Sequence, residues 1–300
     1  MGRICLSVLF LHLFFVVAGL SADRIFVDEV GKRVVVPAHP NRIVSLSPSI
    51  TEILFSLGLE ERIVGVSNHS DFPPAALSKP RVGSYINPSV ERTISLNPDL
   101  IVASAAGNPR EFVERMEALG LSIYTVYPKN FDGILRSISH IAEISGRKKW
   151  AAKIIEEIEG RKERIVHLTL GRPRPTVFLQ IGTEPLITVG RGSFADNVIS
   201  LAGGRNIAGG ESIKYPRYSI EEVLIKAPDI IVISSMDPKG DTRELVEWWN
   251  RWATIPAVRK GRVFVIDSDL IDLPSPRIIE GLEVMAGILH PEVGKLLKNQ

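Results

Sequence analysis

The side chains that could carry out chemistry in this chain are few and widely spaced. The segment GRGSFA, Gly190–Ala195, fits the G-x-G-x-x-A pattern of a dinucleotide-binding turn and follows the apolar run LITV. The acidic residue that such a site needs at the end of a second strand is not evident. Neither SVERT nor SIEEV forms a Ser-His-Asp pattern, and the sequence contains no G-x-S-x-G elbow. We therefore predict no catalytic residues and no enzyme activity.

The sequence also offers little for a metal site. Its histidines beyond the N-terminal apolar segment lack paired ligand spacing; they are His39, His69, His140, His167 and His290. A zinc or manganese site of three or four protein ligands is hard to build from this distribution, so we predict no metal and no cofactor. Cys5 is the only cysteine and lies in the apolar segment. A mature chain without it would form no disulfide and use no cysteine nucleophile.

A repeated segment shows how the chain is organised. The sequence SVERTISLNPDLIVAS at Ser89–Ser104 recurs as SIEEVLIKAPDIIVIS at Ser219–Ser234, 130 positions later. An offset of this length indicates two duplicated lobes, not a short-period solenoid. Each copy predicts a serine-capped helix, a turn at Pro-Asp and a buried parallel strand. Paired α/β lobes of this kind bind ligands in the crevice between them.

The segment between the two copies predicts the connection. Phe131–Leu170 is free of proline and carries isoleucines at helical spacing. We expect one helix to end at Ser145-Gly146 and a second to run from about Arg147 to His167, roughly 30 Å at ~1.5 Å per residue. Glu157 and Arg161 would form an i, i+4 pair on its exposed face. The predicted fold is α/β, with two Rossmann-like lobes joined by one long connecting α-helix and a ligand cleft between the lobes.

The N-terminus has the layout of a signal peptide. Arg3 is followed by an apolar run from Ile4 to Leu20 and then by the small residues Ser21 and Ala22. An uncleaved membrane anchor is the alternative, because the run approaches the ~18 residues that suggest a span. We predict a signal peptide at 1–22, an N-terminal lobe at 23–130, a connecting helix region at 131–168 and a C-terminal lobe at 169–300. The net charge of +2 gives no nucleic-acid footprint, and we expect a periplasmic monomer.

Several motifs occur in the order that one known family has them. They are RIVSLSPSITEILFSLGLEERIVGVSNHSDFPP, NPSVERTISLNPDLIVAS, FLQIG, GRGSFADNVISLAGGRNI, YPRYSIEEVL and SPRI, within residues 42–290. The chain resembles the cobalamin-binding periplasmic components of ABC importers. They belong to the helical-backbone class of substrate-binding proteins, which includes ferric-siderophore, haem and metal-ion receptors. The resemblance implies capture of cobalamin or a related corrinoid and delivery to a membrane permease. A ferric-siderophore or haem receptor is the alternative, and a secreted α/β enzyme is a remote one.

The resemblance also implies a docking role for two glutamates. Glu91 and Glu221 occupy equivalent places in the repeat and match the residues that dock each lobe onto arginines of a permease dimer. Charge pairing on two symmetric lobes suits a two-fold permease and a reversible encounter. The other interpretation is that each carboxylate only interacts favourably with the dipole of its helix.

Four residues of the cleft carry over from the family pattern. Tyr85 and Tyr215 match tryptophans, and an aromatic face of either kind packs against a flat macrocycle. His69 matches a tyrosine, and its imidazole is either a plain hydrogen-bonding group or a contact to a ligand metal. Asp269 is retained from the family. The resemblance therefore implies these four as ligand-binding residues, with core packing as the alternative for the tyrosines.

Two departures from the family keep the identity of the ligand open. Ser104 lies where the family has a tryptophan, and Leu273 lies where it has an arginine. The cleft is expected to be less aromatic and to carry one cation less. Two cations, Lys214 and Arg217, flank Tyr215. They either replace the positive charge that is lost at Leu273 or are ordinary solvated surface residues. They would also suit the carboxylates of a ferric siderophore or of haem.

Overall fold

The computed structural model describes residues 23–237 and 240–298. The predicted signal peptide, residues 1–22, lies outside the described residues. None of the helices in the described ranges has the length and apolar character needed to cross a membrane.

The first half of the chain forms an α/β lobe around a parallel sheet. Its elements are β1 (Arg24–Val27), β2 (Arg33–Val36), β3 (Ile43–Ser45), α1 (Pro48–Ser56), β4 (Ile63–Val66), β5 (Gly83–Ser84), β6 (Asn87–Pro88), α2 (Val90–Ser95), β7 (Leu100–Ser104), α3 (Arg110–Ala118) and β8 (Ile123–Val126). Strands β4, β3, β7 and β8 form the sheet in that order, and every neighbouring pair is parallel. Strands β1 and β2 form a separate antiparallel hairpin, and β5 pairs with β6 in another.

Two helices connect this lobe to the second one. Helix α4 (Phe131–Ser145) ends at Gly146, whose φ of 74° lies in the left-handed region that favours glycine. Arg147 then occupies the N-cap position of the 22-residue helix α5 (Lys148–Thr169), without a side-chain capping hydrogen bond. Arg161 of α5 makes its best ion pair outside its own helix. Its guanidinium donates to both carboxylate oxygens of Glu283, at 2.9 and 2.8 Å, and only approaches Glu157 at 3.5 Å.

The second half of the chain repeats the α/β plan. Its elements are β9 (Thr176–Thr183), β10 (Leu186–Thr188), α6 (Phe194–Leu201), β11 (Arg205–Asn206), α7 (Ile220–Lys226), β12 (Ile230–Ser235), α8 (Arg243–Glu247), α9 (Pro256–Arg259), β13 (Val263–Asp267), α10 (Ser268–Ile271), α11 (Ile278–Leu289) and α12 (Pro291–Lys298). The sheet order is β10-β9-β12-β13, with β11 also paired to β9. All pairs are parallel except β10 with β9.

The repeated segments adopt the local structure that the sequence predicts. The Ser89 hydroxyl accepts a hydrogen bond from the Arg92 amide at the start of α2. Ser219 does the same for α7 and adds a reciprocal bond with Glu222, which completes a capping box. Every residue of β7 is buried, as are the first four of β12. Parallel strands covered by helices on both faces have this continuous apolar character.

The connecting helices are braced against both lobes. Isoleucines of α4 and α5 join one apolar cluster with α1, β3 and β7 of the first lobe and with β9, α6 and α11 of the second. A helix that shares a close-packed core with its neighbours along its length resists bending. This packing, together with the ion pair to Glu283 on α11, ties α5 to the second lobe.

Candidate ligand cleft

Tyr85 projects from the tip of the β5–β6 hairpin and is held by two loop residues. Its ring packs against Gly107, where an added Cβ would lie 2.0 Å from a ring carbon. The Asn108 amide donates to the backbone oxygens of Tyr85 (2.6 Å) and Leu46 (2.9 Å). Its side-chain oxygen accepts from the Ser104 amide at 2.6 Å. Asn108 thereby joins the hairpin to the carboxyl ends of β3 and β7, and the Tyr85 ring remains 43% exposed.

Tyr215 occupies a comparable position on the second lobe. Its loop runs beside β10: the amide of Thr188 donates to the Pro216 oxygen (3.1 Å), and that of Gly190 donates to the Lys214 oxygen (2.8 Å). A Cβ on Gly190 would lie 2.0 Å from the Ile213 oxygen, so only glycine permits this close approach. The Tyr215 side chain is 56% exposed.

The two tyrosines face the same region of the cleft. Burial raises the pKa of the Tyr215 phenol, and the charges of Asp272 and Tyr85 raise this pKa further. Tyr85 belongs to the first lobe and Tyr215 to the second, and the Tyr215 phenol lies within electrostatic range of both Tyr85 and Asp272. These three side chains therefore lie near the same part of the space between the lobes.

Three carboxylates lie around this point. Burial raises the pKa of Asp272, the charge of Asp269 adds to this, and a hydrogen bond from the Ser234 hydroxyl (2.6 Å) opposes it. Burial also raises the pKa of Asp269. The charges of Asp267, in the same lobe, and of Asp71, in the first lobe, raise this pKa further, whereas the Arg277 guanidinium lowers it. Both residues remain exposed, with 53% of the Asp269 side chain accessible, so both carboxyls can accept hydrogen bonds from a ligand.

An ion pair joins the lobes beside these carboxylates. Arg277, just before α11, donates to both carboxylate oxygens of Glu52 on α1, at 2.6 and 3.0 Å. The side chains are only 14% and 4% exposed. The Arg277 guanidinium also stacks over the Phe72 ring at 4.0 Å and approaches Asp269 at 3.5 Å. Nothing in the sequence pattern indicates this pair, because its residues are 225 positions apart.

Comparison with known proteins identifies the family. A family model described as periplasmic binding protein matches residues 43–270. The chain belongs to the periplasmic binding protein family. It is 32% identical to the vitamin B12-binding protein of Vibrio cholerae serotype O1, over 82% of this chain and 88% of that relative. It is 34% identical to the vitamin B12-binding protein of Photorhabdus laumondii, over 84% of this chain and 89% of the relative.

Solved structures confirm the fold of this periplasmic binding protein. The vitamin B12-binding protein BtuF of Vibrio cholerae aligns with a TM-score of 0.76 and 31% identity, covering 87% of this chain and 99% of that one. The heme-binding protein RhuT from Roseiflexus sp. RS-1 aligns with a TM-score of 0.76 and 26% identity, over 84% and 99%. The predicted α/β fold of two lobes and a connecting helix is confirmed, and so is the family resemblance.

The proposed docking glutamates of this binding protein are both exposed. Glu91 and Glu221 lie in the first turns of α2 and α7. A hydrogen bond from its own backbone amide lowers the pKa of Glu91, and the Ser89 hydroxyl, 3.2 Å away, lowers it further. The Glu221 carboxylate has no hydrogen-bond or ion-pair partner among the described residues. The capping box of α7 uses the neighbouring carboxylate, that of Glu222. Both carboxylates are available to an external partner.

The other predicted site residues take different positions. His69 is exposed and adopts a φ of 62°, which is uncommon for a residue other than glycine. Of the residues that follow it, Asp71 pairs with Arg81 at 3.0 Å, and the Phe72 ring lies under the Arg277 guanidinium of the second lobe. Ser104 is buried at the end of β7, and Leu273 is half-buried between Asp272 and Arg277.

The cations beside Tyr215 are solvated in this structure. Lys214 and Arg217 are exposed, and within the described ranges their side chains make no hydrogen bond or ion pair. No group of three or more His, Cys, Asp or Glu side chains in the described part of the chain is arranged to hold a metal ion.

Proposed function

We propose that this protein captures cobalamin or a related corrinoid in the periplasm and delivers it to an ABC permease. The observation that carries this proposal is a pair of exposed tyrosines, Tyr85 on the β5–β6 hairpin of the first lobe and Tyr215 on the loop beside β10 of the second. A planar macrocycle between two such rings gains apolar contact on both sides. No bond needs to be made or broken for this role. The relatives named vitamin B12-binding proteins support the choice of ligand.

The charges around the tyrosines favour an amide-rich ligand over an acidic one. Asp269 and Asp272 lie at this part of the cleft, whereas Asp71 is paired with Arg81 and Arg277 with Glu52. A corrinoid carries peripheral primary amides, whose N–H groups donate to carboxylates. Haem propionates and carboxylate siderophores would instead meet like charges, which costs binding energy.

A haem or ferric-siderophore ligand is the second candidate. Lys214 and Arg217 favour it, because both are exposed beside Tyr215 and neither is used in an ion pair within the described chain. The heme-binding protein RhuT, with 26% identity, is similar in fold. The two candidates differ in which charges contact the ligand: the carboxylates for a corrinoid, the two cations for haem or an acidic siderophore.

Substitution of the two tyrosines tests the proposed function. Tyr85→Ala and Tyr215→Ala should each lower the affinity for cyanocobalamin by roughly 30-fold, because each removes about 2 kcal/mol of apolar burial. Phenylalanine at either position should keep the affinity within about 3-fold. Calorimetric titration of the purified variants gives the affinities.

A third aromatic residue provides the control. Trp150, at the start of α5, is 52% exposed and packs near Gly58, away from both tyrosines. Trp150→Ala should leave cyanocobalamin affinity unchanged. If the two tyrosine-to-alanine variants also bind like the wild type, the ligand does not lie between these rings and the proposed site is wrong.

A further inference from the structure

A second cavity lies directly behind Tyr85 in the first lobe. It encloses about 480 Å³, between the carboxyl ends of β7 and β8, the start of α3 and the turn that follows β1. Ligand pockets begin at ~300 Å³, so this space can hold a substantial chemical group. Asn108 connects it to the cleft, since it lines the cavity and its amide holds the Tyr85 backbone oxygen.

Two buried hydroxyl groups line this cavity with unused hydrogen-bonding capacity. Ser104 and Thr125 are each 6% exposed. The Thr125 hydroxyl has no partner among the described residues. The Ser104 oxygen accepts one long bond from the Ala106 amide at 3.4 Å, and its own proton is not donated to any described group. The Thr125 hydroxyl oxygen is not among the fully buried atoms that lack a partner, so it opens onto the cavity and, together with Ser104, can bond to a polar guest.

The charges of the lining define the chemistry of that guest. Arg110 is paired with Glu114 at 2.6 Å, and Lys32 is paired with Glu117. Asp28 is buried, and one of its oxygens accepts from the Val30 and Lys32 amides at 3.1 and 2.7 Å. Its other oxygen has no hydrogen-bond donor within the described chain. The described residues of the lining therefore offer one free acceptor, the second carboxylate oxygen of Asp28, and no cation that lacks an ion-pair partner.

We propose that this cavity is a side subsite of the cleft that takes an uncharged, amide-bearing arm of the bound corrinoid. The amide N–H groups would donate to Asp28, and its oxygen would accept from the Ser104 or Thr125 hydroxyl. A carboxylate at the same place would face Asp28, and the two cations of the lining, Lys32 and Arg110, are already paired with glutamates. The subsite rests on the proposed function, and it would let the protein distinguish a fully amidated corrinoid from one with a hydrolysed arm.

The experiment compares cyanocobalamin with its separated peripheral monocarboxylic acids. We expect the affinity of the wild type for at least one of these acids to be lower than its affinity for cyanocobalamin by about 10-fold or more. In Asp28→Asn this difference in affinity should fall to about 3-fold. Asn keeps the acceptor oxygen that holds the turn. Thr125→Val should lower cyanocobalamin affinity about 5-fold by removing one hydrogen bond. Ala105→Phe, at an exposed lining position, should lower it further by filling the cavity.

The controls separate this inference from the proposed function. Thr169→Val removes a buried hydroxyl at the end of α5 and should leave every affinity unchanged. The subsite proposal is wrong if the wild type binds cyanocobalamin and three variants, Asp28→Asn, Thr125→Val and Ala105→Phe, have the same affinities for cyanocobalamin and its acids as the wild type. That result would leave the proposed function of the main cleft unaffected. If the wild type binds no corrinoid, both proposals fail. Thermal melting of each variant verifies that its fold is intact.

Discussion

Reversing the charge of both proposed docking residues, Glu91→Arg with Glu221→Arg, is expected to reduce corrinoid uptake to the level of cells that lack the protein. Both carboxylates are exposed at equivalent places on the two lobes, so the double variant would present two cations to the arginines that we propose as their partners on the permease. Single reversals should give intermediate uptake. Uptake of labelled cyanocobalamin measures the effect, and calorimetry should show unchanged affinity in solution.

A second pair of glutamates serves as the matched control for this experiment. Glu61 on the first lobe and Glu244 on the second are also exposed, and reversing both changes the net charge by the same amount. Uptake should then stay normal. The dipole interpretation predicts only a small loss of helix stability, about 0.3–1 kcal/mol per carboxylate. Normal uptake by the Glu91→Arg, Glu221→Arg variant would favour that interpretation and would place the docking surface elsewhere.

Breaking the ion pair between the lobes is expected to have the largest effect on stability. Glu52→Gln or Arg277→Leu should lower the free energy of unfolding by about 3–5 kcal/mol, because either change leaves a buried group without its charged partner. The side chains are 4% and 14% exposed and bonded through two hydrogen bonds. Urea denaturation of the ligand-free protein measures the change.

Two further variants test whether the loss of stability comes from a buried charge left without its partner: one breaks an exposed ion pair, and the other replaces both buried charges. Asp241→Asn breaks the ion pair with Arg243, in which the two side chains are 55% and 81% exposed, and should leave the free energy of unfolding almost unchanged. Glu52→Leu with Arg277→Met replaces both charges by apolar groups and should recover most of the lost stability. A loss below 1 kcal/mol in Glu52→Gln would show that the pair does not hold the lobes together.

The sequence predicts the parts of this fold that depend on local signals. Ser89 and Ser219 cap helices because a serine before a helical pattern satisfies its first amides. The break at Gly146 follows from a glycine that can adopt positive φ. Both signals lie within a few residues of the structure they specify, so no knowledge of the tertiary fold is needed.

The parts that depend on tertiary packing could not be predicted in the same way. Arg161 has Glu157 one turn away, yet it pairs with Glu283 because α11 packs against α5. Glu52 and Arg277 belong to different lobes, and no periodic pattern relates them. The hydroxyls of Ser104 and Thr125 gain significance only when two strand ends meet at one cavity. The meeting of Tyr85 and Tyr215 was expected only through the family resemblance.

Calorimetric titration of the protein from Asp23 onward, without the predicted signal peptide, tests the central claim most directly. Cyanocobalamin, cobinamide, haemin and a panel of ferric siderophores would be titrated under one set of conditions. The proposed function predicts one-to-one binding of the corrinoids and weaker or no binding of haemin and the siderophores. One-to-one binding of haemin or a siderophore, with no heat from either corrinoid, would contradict the corrinoid assignment and make the cations Lys214 and Arg217 the ligand contacts to test.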